Sequence, residues 1–236
     1  MAFSDWSLIQ GAGTEAFSSA LNSTLSNPLT IGSSYCRYVY VSNPGGSWAT
    51  GGYSVSSSYQ SGQLYNVSST KAIRVQGYLR LSAVPNADSR AGAWIGAKLH
   101  TDLGNFNNYQ SGYCLGIKAI NSSQVAITTM FNGVLTNPNL ESVSLNTWYG
   151  LRLEVYPIGA SADRIKAYKE STPGSNVWNL LSDVTIPNTS GLYTNWGENR
   201  KNGFFFLHQA EYDGQFTTGY VDLMSVSVAN APTPIP

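Results

Sequence analysis

Apolar and polar residues alternate with a period of two along much of the chain, most clearly from Trp148 to Lys169. Tyr149, Leu151, Leu153 and Val155 fall on one side of an extended segment, and Trp148, Gly150, Arg152, Glu154 and Tyr156 on the other. Successive strand side chains point to opposite faces, so this pattern predicts a strand with one buried and one solvated face. Pro157, Gly159 and the small residues up to Asp163 interrupt it. Alternation resumes over Arg164–Lys169, with Ile165 and Ala167 inward and cations outward. The turn-like Leu145–Asn146–Thr147 leads in. Two antiparallel strands joined by a short Gly-containing loop follow from this arrangement.

The same rule reads the rest of the chain. Phe3, Trp6 and Leu8 mark an opening strand or arm, and residues 14–26 read as strands with a turn stopped by Asn27–Pro28. Tyr35–Val41 is rich in β-formers. Asn43–Pro44–Gly45–Gly46 is a loop, and the Gly-, Ser- and Tyr-rich residues 50–69 read as a surface excursion or irregular hairpin. In Lys71–Val84, Ile73, Val75, Gly77, Leu79 and Leu81 oppose Arg74, Gln76, Tyr78 and Arg80. Strands are predicted at Ala91–Leu99, Tyr113–Ile120 and Val125–Phe131, the last two joined across Asn121–Ser122–Ser123. Asn132–Gly133 is a tight-turn pair. Val177–Leu181 reads as a short strand, Pro187–Asn202 as a polar loop, and Phe204–His208 as a buried central strand. Glu211–Gly214 turns the chain before a closing strand that ends near Ala229. About a dozen strands at this spacing, with no helix, predict an antiparallel sandwich.

Composition narrows the partners. Only 11% of the 236 residues are charged, against roughly 25% in ordinary soluble domains. Ser, Thr, Asn, Gly and Tyr supply the polarity, which suits contact with sugars or with another protein. Thirteen basic and thirteen acidic residues cancel, which argues against nucleic acid, whose phosphates require a basic field. Residues 1–230 are expected to form one domain with an N-terminal arm over about 1–13, and the Pro-rich 231–236 an extended tail. The first residues carry no basic, apolar leader. No run approaches the roughly 18 apolar residues of a membrane span. The two cysteines, Cys36 and Cys114, lie in separate strands. Buried free thiols are the default there, and a disulfide requires the two strands to be neighbours.

The stretch Asn146–Val155, "NTWYGLRLEV", followed by Arg164–Tyr168, "RIKAY", resembles the central hairpin of the concanavalin A-like, or laminin G-like, jelly-roll superfamily. Gly219–Val228 is similar to the closing strand of that superfamily. The resemblance implies an all-β fold: a single concanavalin A-like (jelly-roll) antiparallel β-sandwich with extended terminal arms. These are packing motifs, and they imply little about activity. The superfamily contains glycan hydrolases and lyases, so their signatures can be sought. A hydrolase of this type places carboxylates about 5 Å apart on one strand. Glu211–Tyr212–Asp213 supplies two, but Gly214, Gln215 and Phe216 follow in place of a third. A lyase-like site needs an Arg-rich strand, a Gln-x-His strand and a Tyr-rich strand close together. His208–Gln209 has the wrong order and spacing. No serine elbow or phosphate loop is present.

No catalytic residue, resident metal or cofactor is therefore expected. The calcium candidates Asp102, Asn105 and Asn107 carry one charge between them and read as an Asn-rich turn. Glycan sites stack sugars on exposed aromatic rings, which nominates Trp48, Tyr53, Tyr109, Asn195 and Trp196 as partner- or glycan-contacting loop residues. Low charge, terminal arms and the 50–69 excursion lead to the expectation of a non-enzymatic virus-particle protein. It would be a capsid decoration (cement) or surface appendage protein of a tailed phage, assembled in the host cytoplasm. Its expected partners are other virion proteins such as the major capsid protein, a second copy in a homo-oligomer, and glycans, with neither nucleic acid nor membrane. A carbohydrate-binding lectin-like module is the alternative, and a glycan hydrolase or lyase of the same fold ranks below it.

Overall fold

The computed structural model describes residues 6–10, 37–42, 57–61, 65–68, 71–84, 92–99, 112–131, 134–158, 162–187, 199–208 and 216–230. Among them are fourteen strands and no helix. The strands are β1 (Trp6–Gln10), β2 (Arg37–Ser42), β3 (Ser57–Ser61), β4 (Tyr65–Ser68), β5 (Lys71–Ala83), β6 (Gly92–Leu99) and β7 (Tyr113–Ala119). The second half adds β8 (Val125–Phe131), β9 (Val134–Val143), β10 (Tyr149–Ile158), β11 (Ala162–Glu170), β12 (Trp178–Pro187), β13 (Asn199–His208) and β14 (Phe216–Asn230).

They form two antiparallel sheets. One has eight strands in the order β1-β3-β13-β6-β7-β8-β9, with β4 also paired to β13. The other has six, in the order β12-β11-β10-β5-β14-β2. The chain is an all-β, jelly-roll sandwich of the expected class. The Trp148–Lys169 segment forms the expected hairpin, with Leu151 opposite Lys169 and Ile158 opposite Ala162.

The core lies between the sheets. Ile73, Val75, Leu79, Leu81, Leu151, Leu153, Val155, Ile165 and Ala167 face it from the six-stranded sheet. Ala93, Ile95, Ala97, Tyr113, Leu115, Ile117, Val125, Ile127 and Phe131 face it from the other. Each large aliphatic side chain buried here contributes about 1.5–3 kcal/mol. In β7 and β8 all seven residues are buried, so both faces of that sheet are covered there. Gly116 belongs to the covered outer face: a Cβ would stand 2.4 Å from Ala93 O and 2.6 Å from the Trp94 ring. Glycine thus allows the indole to lie against the β7 backbone. The outward side of the six-stranded sheet is different, since its polar residues on β5, β10 and β11 are mostly half-buried.

One polar cluster bridges the sheets. Asp163 on β11 accepts from Lys98 Nζ on β6 and from Tyr113 OH on β7, both at 2.8 Å. All three residues are buried. Lys98 has a positive φ of 53°, and Tyr113 also meets Phe131 edge to face at 5.7 Å.

Several local expectations change. Residues 50–69, read as a surface excursion or an irregular hairpin, contribute β3 and β4, which each pair with β13. Ser57–Ser61 pairs through its backbone with β1 and β13, and that pairing does not require apolar side chains. Asn199–Asn202, expected in a polar loop, opens β13 for the same reason and pairs with β4. Pro157 does not end β10. The strand pairs with β5 only up to Val155 and with β11 as far as Ile158, so a residue without an N–H fits where one side carries no ladder. Trp6–Gln10, within the segment read as an opening strand or arm, forms β1 at one end of the eight-stranded sheet. The turn expectations at Asn146 and Asn121 hold. Asn146 takes a φ of 60° and its N–H donates to Leu81 O at 2.7 Å. Asn121 Oδ1 accepts from Ser123 N at 3.0 Å and Gln124 N at 2.9 Å.

Candidate functional site

The period of two that buries one face of β5, β10 and β11 projects a second set of residues outward. Register then assembles that set. Gln76 stands opposite Arg152, and Arg74 opposite Glu154, on β5 and β10. Across the other side of β10, Arg152 faces Tyr168, Glu154 faces Lys166, and Tyr156 faces Arg164. Asp183 on β12 lies beside Lys166.

Glu154 is the hub. Its side chain is only 5% exposed. Oε1 accepts from Arg74 Nε at 2.8 Å, and Oε2 from Tyr156 OH at 2.5 Å and Tyr168 OH at 3.3 Å. Beside it, Arg152 Nε donates to Gln76 Oε1 at 2.8 Å, while the guanidinium stacks 3.9 Å from the centre of the Trp178 ring. At the exposed margin Arg164 makes a two-pronged pair with Asp183, both contacts 2.7 Å. Lys166 lies 4.0 Å from Asp183 and 5.9 Å from the Tyr156 ring centre.

Burial and charge set the protonation of these groups. Burial, reinforced by the Glu154 carboxylate, raises Tyr156 and pushes Tyr168 up to about 12. Burial and the neighbouring Glu170 carboxylate push Tyr78 up to about 12. All three are neutral phenols at physiological pH and act as proton donors. Burial and the nearby Arg74 charge lower Arg152. Arg164 holds the Asp183 carboxyl below its ordinary value.

Arg74, Arg80, Arg152, Arg164 and Lys166 share this face with Glu154, Asp183, the buried Glu170 and, opposite Tyr78 on β14, Asp222, an excess of one positive charge among the described residues. Five of the thirteen basic residues of the chain thus stand on one face. Sequence reasoning looked for contiguous motifs and loop aromatics and missed it. The usable signal was the outward register of three strands, Arg-Gln-Tyr-Arg, Arg-Glu-Tyr and Arg-Lys-Tyr, occupied by charged and aromatic residues where Ser and Thr prevail elsewhere.

The residues nominated from sequence, Trp48, Tyr53, Tyr109, Asn195 and Trp196, lie outside the described residues, as do Cys36, Asp102, Asn105, Asn107, Glu211, Tyr212 and Asp213. Cys114 is a buried free thiol, which burial pushes to a raised pKa. His208 ends β13 opposite Ser57, in the eight-stranded sheet and so away from the Arg and Tyr strands. Among the described residues no three His, Cys, Asp or Glu side chains are grouped to hold a metal, and no helix is long and apolar enough to cross a membrane.

No protein-family model and no curated protein matches the sequence. Solved structures match nearly end to end. A family 7 alginate lyase in complex with its substrate is 15% identical, with 98% of this chain and 95% of that chain covered and a TM-score of 0.47. The alginate lyase from Klebsiella pneumoniae is 10% identical, with 96% of each chain covered and a TM-score of 0.47. Arcelin-5, a lectin-like defense protein from Phaseolus vulgaris, is 12% identical over 96% of this chain and 93% of that chain, with a TM-score of 0.45. The likeness is one of fold. These findings correct the expectation of a non-enzymatic virion structural protein: the similar structures are alginate lyases and a lectin-like protein. A polar cluster drawn from four strands leaves no contiguous motif in the sequence.

Proposed function

We propose that this protein engages an acidic polysaccharide on the outward face of its six-stranded sheet. The observation that carries this reading is the Arg74–Gln76–Arg152–Glu154–Tyr156–Tyr168 cluster, ringed by Arg164 and Lys166. Guanidinium groups recognise carboxylates with directed, charge-assisted hydrogen bonds. Phenol and amide groups fix sugar hydroxyls, and half-buried, mutually braced side chains present them with little entropy to lose. Isothermal titration against alginate, polygalacturonate and an uncharged glucan tests it. Binding confined to the acidic polymers, weakened by raised salt and by R74A or R152A, is the expected result. Equal binding to the neutral glucan, or binding to none, overturns it.

A second reading, eliminative cleavage on the same face, is favoured by one geometry: two phenols converge on Glu154 Oε2. In such a step a guanidinium neutralises the uronate carboxylate, which acidifies the neighbouring ring C–H. The Tyr156 oxygen takes that proton as its own passes to Glu154. The electron pair forms the new C=C bond, and the glycosidic C–O bond breaks. The departing oxygen is then protonated by a second phenol, that of Tyr168. The ultraviolet absorbance of unsaturated uronate ends reads this reaction. Growth of that signal with wild type and its loss in Y156F supports cleavage, and a flat signal on every acidic polymer rules it out.

A further inference from the structure

The geometry points to Glu170 as a positioning residue for the Arg152 side of this face, acting through the turn between β11 and β12. Glu170 is 3% exposed and pairs with Trp178 across the end of the β11–β12 ladder. Its carboxylate accepts from Gly174 N at 2.9 Å and from Asn176 N at 2.5 Å. Both donors sit at positive φ, 88° for Gly174 and 56° for Asn176. A left-handed backbone at a non-glycine residue has a conformational cost and persists where its surroundings fix it. The buried carboxylate supplies that restraint, because charge-assisted bonds to backbone N–H groups are the strong ones.

The restraint is handed on to the site. Asn176 Oδ1 accepts from Trp178 Nε1 at 2.9 Å, which sets the plane of the indole. The Arg152 guanidinium lies on that plane at 3.9 Å and donates to Gln76. Glu170 therefore reaches Arg152 through Asn176 and Trp178, and its carboxylate also takes a hydrogen bond from the Tyr78 phenol. Gly150 makes the arrangement possible: a Cβ there would stand 2.6 Å from Glu170 Oε2 and 3.0 Å from the Tyr78 ring. Only the affinity arm of the test below rests on the glycan reading of this face.

The test uses the full chain labelled with nitrogen-15. The indole N–H resonance of Trp178 is identified by its loss in W178F. Glu170→Gln and Asn176→Ala are expected to shift that resonance and speed its exchange with solvent, and Asn176→Asp, which keeps an acceptor in place, to leave the exchange slow. An unmoved Trp178 resonance in Glu170→Gln overturns the proposal, whatever Asn176→Ala shows. Should Glu170→Gln fail to fold, Glu170→Asp, whose shorter side chain withdraws the carboxylate from the Gly174 and Asn176 N–H groups, carries the same comparison. On alginate, both variants should bind about threefold to tenfold more weakly, the scale of one lost cation–π alignment. A shifted resonance with unchanged affinity for a polymer that wild type binds also overturns the positioning role. If wild type binds no acidic polymer, the glycan reading fails and the resonance alone decides the role of Glu170.

Discussion

Arg74 Nε donates to Glu154 Oε1 at 2.8 Å across adjacent strands, from positions eighty residues apart in the chain. The carboxylate is buried and also receives the phenols of Tyr156 and Tyr168, so one side chain neutralises a cation and satisfies two hydroxyls. Removing it takes that shared acceptor from all three. Glu154→Ala should lower stability by about 3 kcal/mol, the usual cost of leaving half of a buried pair, with denaturant unfolding as the measurement. Because Glu154 helps to raise Tyr156 and Tyr168, the same variant should ionise these phenols at lower pH. An ultraviolet pH titration against wild type reads that change. An unchanged tyrosinate curve would show that burial alone holds the phenols up.

The cross-sheet cluster makes a second case. Lys98, Asp163 and Tyr113 are buried together, and Asp163 is the acceptor for both partners. Asp163→Asn removes the charge opposite Lys98 and should cost about 3 kcal/mol in urea unfolding. A K98M/D163L double variant takes both charges out of the interior and should lose less than Asp163→Asn alone. A double variant that loses more would mean that the polar cluster is favourable in its own right.

Gly150 tests close packing under the candidate face. An added methyl meets the Glu170 carboxylate and its Cβ at 2.9 Å. Gly150→Ala should therefore destabilise by about 1–3 kcal/mol through overpacking. A melting temperature equal to that of wild type would show that Glu170 can move aside.

Alkaline pH should weaken the fold through the phenols. Tyr78 and Tyr168 are each raised from 10.0 to about 12. Their proton is held more tightly folded than unfolded, so the associated stability is complete below pH 10 and is lost as pH rises through 12. Urea midpoints measured at about pH 9 and about pH 11 should fall, and Tyr168→Phe should flatten the fall.

Acid acts with the opposite sign at the margin of the face. Arg164 holds Asp183 below its ordinary 3.8. The contribution of this pair is complete above that value and is lost as pH falls through the lowered value of the folded protein. The difference in melting temperature between wild type and Asp183→Asn, seen at about neutral pH, should shrink steadily as pH is taken below 3.8. A difference that survives acid would mean that the asparagine acts by another route.

Alternation along single strands was legible from the start. Ile73, Val75, Leu79 and Leu81, and Leu151, Leu153 and Val155, face the core as the period of two dictates. The hairpin at Trp148–Lys169 and the turns at Asn121 and Asn146 were legible too. Those features depend on neighbours within a few residues, and local side-chain chemistry is written directly in the chain. Polar strands were not legible: Ser57–Ser61 joins a sheet by backbone hydrogen bonds that leave no mark on its composition.

The candidate face was only half legible. Sequence determined which residues of β5, β10 and β11 point away from the core, because strand geometry leaves them no other side. Which of those residues meet was decided by tertiary structure alone. Arg74 reaches Glu154 and Arg152 reaches Gln76 across separations of eighty and seventy-six residues, and Arg152 stacks on Trp178 two strands away. Strand order and register set those meetings, and both arise from the pairing of whole strands around a common core. A hydrophobic period fixes the side on which a residue lies, and only the assembled sheet fixes what lies beside it.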